Sequence, residues 1–147
     1  MENRKEKQLP KVILLCIAVI LALWILSGNA SKTGIRLYVQ WNYSQLEEFA
    51  ETVIETGSIP INSNFKKAHY YPNRKMIEFN VLSNGFGSAT TYEGFYYSCE
   101  DVPCGFQGTD MDFQFDGTGW NWQDLDGDNS ESTEKIIKNW YWYRVHF

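Results

Sequence analysis

Residues Val12–Leu26 are fifteen consecutive apolar positions behind Arg4, Lys5, Lys7 and Lys11. A helix that is apolar all round has no polar side to show to water, so this stretch stands apart from whatever folds downstream. The charged start and the polar exit at Ser27-Gly28-Asn29 predict a membrane segment over residues 12–28. It reads either as a retained anchor or as the core of a signal peptide cleaved near Ala30. Lys and Arg stay on the cytoplasmic side, which predicts residues 1–11 inside as a basic tail and the C-terminal domain outside. A helix of fifteen residues is about 22 Å long, against a hydrocarbon core of roughly 30 Å. Flanking residues and a snorkelling Lys11 are needed to make up the difference. Cys16 follows bulky Leu14-Leu15 inside this run and reads as a passenger.

Residues 29–34 read as a short linker, and residues 35–147 as one extracytoplasmic domain. Past residue 30 the chain has nine Lys or Arg and sixteen Asp or Glu, and residues 76–134 hold twelve acids with no Lys or Arg. Such a surface repels a phosphate backbone, so nucleic acid is not an expected partner. A cationic partner or a metal ion is electrostatically easier. No nucleophile elbow, phosphate-cradling loop, zinc-protease or dinucleotide pattern occurs, and His69 and His146 are the only histidines. The chain is therefore not expected to be an enzyme.

One amphipathic helix is legible. Ser44 and Glu47 have capping-box spacing. Leu46, Phe49, Ala50, Val53 and Ile54 then share one face, with Gly57 and Pro60 as the stop. Alternation after residue 75 predicts strands around Ile77–Val81, Thr91–Ser98, Met111–Phe115, Trp120–Trp122 and Lys135–Phe147. The residues before the helix, Ile35–Trp41, read as extended, and His69 falls in a stretch read as loop. The expected fold is thus α+β. One helix packs on a curved antiparallel sheet of four or five strands, a cystatin-like layout, with a small barrel as the other possibility.

Cys99 and Cys104, the only cysteines outside the apolar run, are expected to form a disulfide in an oxidising compartment. The short loop they close is worth about 2 kcal/mol. Asp124, Asp126 and Asp128 place three carboxylates at alternate positions, the kind of oxygen ligands that Ca2+ takes. The EF-hand pattern fails, however, because Gly127 stands fourth in the run and Lys135 twelfth.

Adjacent strand residues face opposite ways. Some of the many rings must therefore lie on the second face of the sheet, where they are free to bind. Tyr96, Trp120, Trp122, Trp140 and Trp142 are the candidates for a surface aromatic site rimmed by acids. The function expected from the sequence is a membrane-tethered binding domain without catalysis, meeting a protein, peptide or glycan at the cell surface. The alternatives are a structural accessory subunit of a membrane complex or a small secreted hydrolase.

Overall fold

Apolar and aromatic side chains occupy both parities of the long strands, and this decides the architecture. A strand with one apolar face needs one cover; a strand with two needs two. In the computed structural model, which describes residues 13, 14, 16, 17, 29–61, 63–65, 67–87 and 89–147, both covers are present. The chain divides into two units, Met1–Gly34 and Ile35–Phe147.

Seven strands form one open antiparallel sheet. They are β1 (Ala68–Tyr71), β2 (Met76–Phe86), β3 (Ala89–Ser98), β4 (Gln114–Phe115), β5 (Trp120–Gln123), β6 (Ser130–Ile137) and β7 (Trp140–His146). Their order across the sheet is β1-β2-β3-β7-β6-β5-β4. The C-terminal strand β7 is thus central, paired with β3 on one side and β6 on the other, so its row of aromatics has no free edge.

Two helices, α1 (Asn29–Trp41) and α2 (Tyr43–Thr56), precede the sheet. Ile35, Val39, Leu46, Phe49, Ala50 and Val53 from them meet Ile77, Phe79, Phe95, Tyr97, Trp140 and Trp142 from one sheet face. Phe79 and Phe95 stack at 4.6 Å between ring centres. Burying an indole leaves its N–H in need of an acceptor. Trp140 Nε1 donates to Glu47 Oε2 at 2.8 Å, and Trp142 Nε1 to Glu93 Oε1 at 2.9 Å.

The opposite face carries Met76, Tyr96, Tyr141, Tyr143 and Val145, and its cover brings Cys104 and Phe106. That cover is the irregular segment 99–113, with a single 3-10 turn at Phe106–Gly108. Tyr96 and Tyr141 stack 5.2 Å apart beneath it.

Several expectations are corrected by this arrangement. The sheet has seven strands, not four or five, and it is open rather than closed. His69 sits on strand β1. The stretch 135–147 is two strands, because Asn139 takes a left-handed φ of 67° that turns the chain at Lys138-Asn139. The residues read as linker and extended segment are the helix α1. Ser44 is not a cap. Asn42 holds that position without a side-chain cap bond, and Glu47 instead serves Trp140. Gly57 does end α2, at φ 70° with its N–H on the Val53 carbonyl.

The membrane segment expected over residues 12–28 lies mostly outside the described residues. Among the described residues no helix is long and apolar enough to cross a membrane. The tether, the inside–outside placement and the membrane as a partner have no structural basis in the described residues.

Gly94 marks the tightest point of the sheet. It pairs with Asn80 beside the bulge in β2 and with Tyr143 on β7. A Cβ there would overlap the Phe79 carbonyl oxygen and come within 2.9 Å of the Tyr143 ring. Gly94→Val is expected to destabilise the fold by about 1–3 kcal/mol through overpacking, read as a lower midpoint in urea unfolding. An unchanged midpoint would show that the sheet yields there.

Candidate functional site

The cover of the second face is held by polar bonds as much as by its rings. Asp101 begins it in a left-handed conformation, φ 56°. Its Oδ1 accepts the Asn139 N–H at 2.7 Å, its Oδ2 meets Lys135 Nζ at 2.6 Å, and its carbonyl accepts the Tyr141 hydroxyl at 2.7 Å. Next, the Cys104 N–H donates to the Tyr96 hydroxyl at 3.0 Å. Thr133 Oγ1 donates to the Trp142 carbonyl at 2.8 Å, so Tyr96 donates to Thr133 over 2.9 Å. Every group in this relay is satisfied, as burial demands.

Two buried carboxylates finish the attachment. Glu131 Oε2 accepts the Phe106 N–H at 3.0 Å, and Glu78 Oε2 accepts the next amide, Gln107 N–H, at 2.8 Å. Glu131 and Glu78 are 1% and 2% exposed. Burial pushes the Glu131 carboxyl up to about 7; the Phe106 amide pulls it back, and the charge of Glu78 adds to the rise. Burial also raises Glu78, against the Gln107 amide and the nearby Tyr143 hydroxyl. Tyr143 itself is raised by burial and by both carboxylates. Its hydroxyl and Glu131 Oε1 are buried without a well-formed hydrogen bond. Composition alone did not single out this pair. The signal available in sequence was a Glu at an inward position of each of two strands, Glu78 and Glu131.

An open concavity lies toward the β4–β5 edge of the sheet. A groove of about 650 Å³ runs along β5 and β6, with Gln114, Asn121, Trp122, Gln123, Ser132 and Glu131 among its lining. Asp112 and Leu125 stand at its rim, both exposed.

β4 begins only at Gln114, opposite Asn121. At the β4–β5 turn the Asp116 N–H bonds the Gly119 carbonyl at 3.0 Å. Asp116 Oδ1 also accepts the N–H groups of Thr118 and Gly119, which holds its carboxyl below the usual range. In an antiparallel ladder every second residue turns its N–H and C=O to the same neighbour. Gly119, Asn121 and Gln123 therefore face the β4 side. Gln114 pairs with Asn121, but no strand residue stands opposite Gln123. Along β6 the register is complete, and Asp124 N continues it onto the Asn129 carbonyl. The result is a notch at Gln123 in an otherwise paired strand.

The site residues expected from the sequence do not converge. Tyr96, Trp140 and Trp142 are buried, on opposite faces of the sheet. Trp120 is half-buried against Phe115 and Tyr141. Only Trp122 lines the groove. An exposed aromatic site rimmed by acids does not form, because helices and cover segment claim both faces.

Cys99 and Cys104 are free thiols rather than a disulfide. Cys99 packs with the helix-side core and Cys104 with the opposite one, so the end of β3 separates them. Asp124, Asp126 and Asp128 lie in the β5–β6 loop, where Asp124 Oδ1 accepts the Asp126 N–H at 3.3 Å. Among the described residues no three His, Cys, Asp or Glu side chains gather as metal ligands.

The carboxylate pair makes stability depend on pH in a defined direction. Glu131 binds its proton more tightly in the fold, at about 7, than at its ordinary 4.5. Its contribution is fully present below about pH 4.5 and is lost as the pH rises through about 7. Glu131→Gln keeps an acceptor for the Phe106 amide but cannot ionise. The wild type is expected to lose stability relative to Glu131→Gln between pH 5 and 7.5, by at most about 1.4 kcal/mol per pH unit. Parallel thermal unfolding curves across that range would refute it.

Comparison with known protein families, with characterised proteins and with solved structures finds no match for this chain.

Proposed function

We propose that this chain is a non-catalytic structural accessory domain that holds a partner protein along the open edge at β4 and β5. The notch at Gln123 carries this reading. Its main-chain N–H and C=O turn toward an absent strand, beside a groove of about 650 Å³. Unpaired edges are where sheets accept a further strand.

The chemistry elsewhere supports a scaffold over a hydrolase. A hydrolytic acid or base must reach its substrate. Glu78 and Glu131, the carboxylates whose proton affinity burial raises, are instead engaged with the Phe106 and Gln107 amides and tie down the cover. The rings that would have made an exposed aromatic face are packed inside. Along β4 and β5 the outside offers amides, hydroxyls and the half-buried indoles of Trp120 and Trp122.

Site-specific photo-crosslinking in cells tests the reading. A photoreactive residue at Gln114 or Gln123 is expected to give a discrete protein adduct that Trp122→Ala abolishes. The same residue at Glu55, on exposed α2, is expected to give none. Equal adducts at both places, or none at the groove, would overturn it.

A further inference from the structure

Among the described residues, the longest stretch of unpaired strand is on β2, at the far side of the sheet from β4. β2 runs from Met76 to Phe86, but β1 pairs only with Met76–Phe79. Past Phe79 the strand continues as one arm of the β2–β3 hairpin, and no described strand stands outside Asn80–Phe86. The hydrogen bonds of β3 show which main-chain groups are left over. The Thr90 carbonyl accepts the Phe147 N–H, and the Ser98 N–H donates to the Asn139 carbonyl. The even-numbered residues of β3 therefore turn toward β7 and the odd-numbered ones toward β2. Those odd-numbered residues stand opposite Leu82, Asn84 and Phe86. Ser83 and Gly85, between them, turn their N–H and C=O groups outward.

The side chains along this edge leave it open. Asn80 to Phe86 includes no charged residue and no Pro, the devices that ordinarily guard an edge. Leu82 is 46% exposed and Phe86 94%. They share one face of the strand, with Asn84 midway between them. The bulge between Asn80 and Leu82 breaks the regular register, so a flat edge is confined to Leu82–Phe86.

We propose that a second copy of this chain pairs here, β2 against β2, antiparallel about a two-fold axis at Asn84. The edge is complementary to itself in that register. Ser83 exchanges main-chain hydrogen bonds with Gly85 of the copy, and Gly85 with Ser83 of the copy. Leu82 then lies directly opposite Phe86 of the copy on both sides of the axis, and the two Asn84 side chains face each other. An isologous contact of this kind uses each edge once and closes at two copies. Charge points to the same place. The chain has a net charge of −5, so two copies repel over most approaches, and an uncharged edge is where they meet at least cost. The contact is independent of what the β4–β5 edge holds.

Five residues a side make a small interface, so the test traps it covalently. In the full chain carrying Cys16→Ser, the remaining thiols are the half-buried Cys99 and the buried Cys104. Asn84→Cys in this background places two thiols opposite each other, with Cα atoms about 4.5 Å apart, within reach of a disulfide. Mild oxidation is expected to give a disulfide-linked dimer on a non-reducing gel. Val81→Cys is similarly exposed but lies about 20 Å from its copy in this register, and is expected to give none. Adding Leu82→Lys and Phe86→Lys to Asn84→Cys is expected to abolish the dimer and to leave the urea midpoint unchanged, since both side chains are exposed.

No dimer at Asn84→Cys, equal dimer at Val81→Cys, or a dimer indifferent to the two Lys substitutions would overturn the proposal. So would a photoreactive residue at Asn84 that captures a different protein in cells instead of this chain. The adducts at Gln114 and Gln123 report on the other edge, so either result stands without the other.

Discussion

The structure depends on a sheet that is apolar on both faces. Phe95, Tyr97, Trp140 and Trp142 point one way while Tyr96, Tyr141, Tyr143 and Val145 point the other. Large aromatic rings remove much surface from water per residue, and neither face tolerates exposure. The helices α1 and α2 cover the first. The second has no helix and is covered by irregular chain, whose main-chain groups must still find partners. That need explains why so many buried polar groups gather there: Asp101, Tyr96, Thr133, Glu78 and Glu131 each receive a backbone or hydroxyl group that the cover brings in or that lies beneath it.

The two covers thus differ in kind. On the helix side, Glu47 and Glu93 accept the indole N–H groups of Trp140 and Trp142, and ion pairs join Arg36 to Glu134 and Arg144 to Glu93. On the loop side, carboxylates replace the internal hydrogen bonding that a helix supplies for itself. Placing Glu78 and Glu131 on consecutive amides satisfies the turn at Phe106–Gln107. It also brings two acids together in a poorly solvated place, where the charged forms are disfavoured. The same design that closes the second face raises the proton affinity of both acids.

The edges follow from the same construction. β1 closes one side of the sheet with four residues, and β4 covers the other with two. The cover segment runs into β4 only at Gln114, so Asp112 leaves Gln123 without a strand opposite. The groove along β5 and β6 lies beside the place where irregular chain becomes strand.

Local pattern determined much of this protein. The apolar face of α2 and its stop at Gly57, the strands around Ile77, Thr91 and Trp120, and the uneven charge are all readable from spacing and residue type. What pattern misses is partnership at a distance. A left-handed Asn139 divides an aromatic run into two strands, because φ at one residue is set by the turn that the ladder requires. Ser44 and Glu47 look like a cap, yet Glu47 belongs to Trp140, 93 residues away. Cys99 and Cys104 are near in sequence, yet they face different cores. Sequence by itself determined that rings would occupy both sides of a sheet. Only the tertiary structure decided that segment 99–113 would cover the second side, because a segment without periodicity declares its place only through the carboxylates and hydroxyls that receive its backbone.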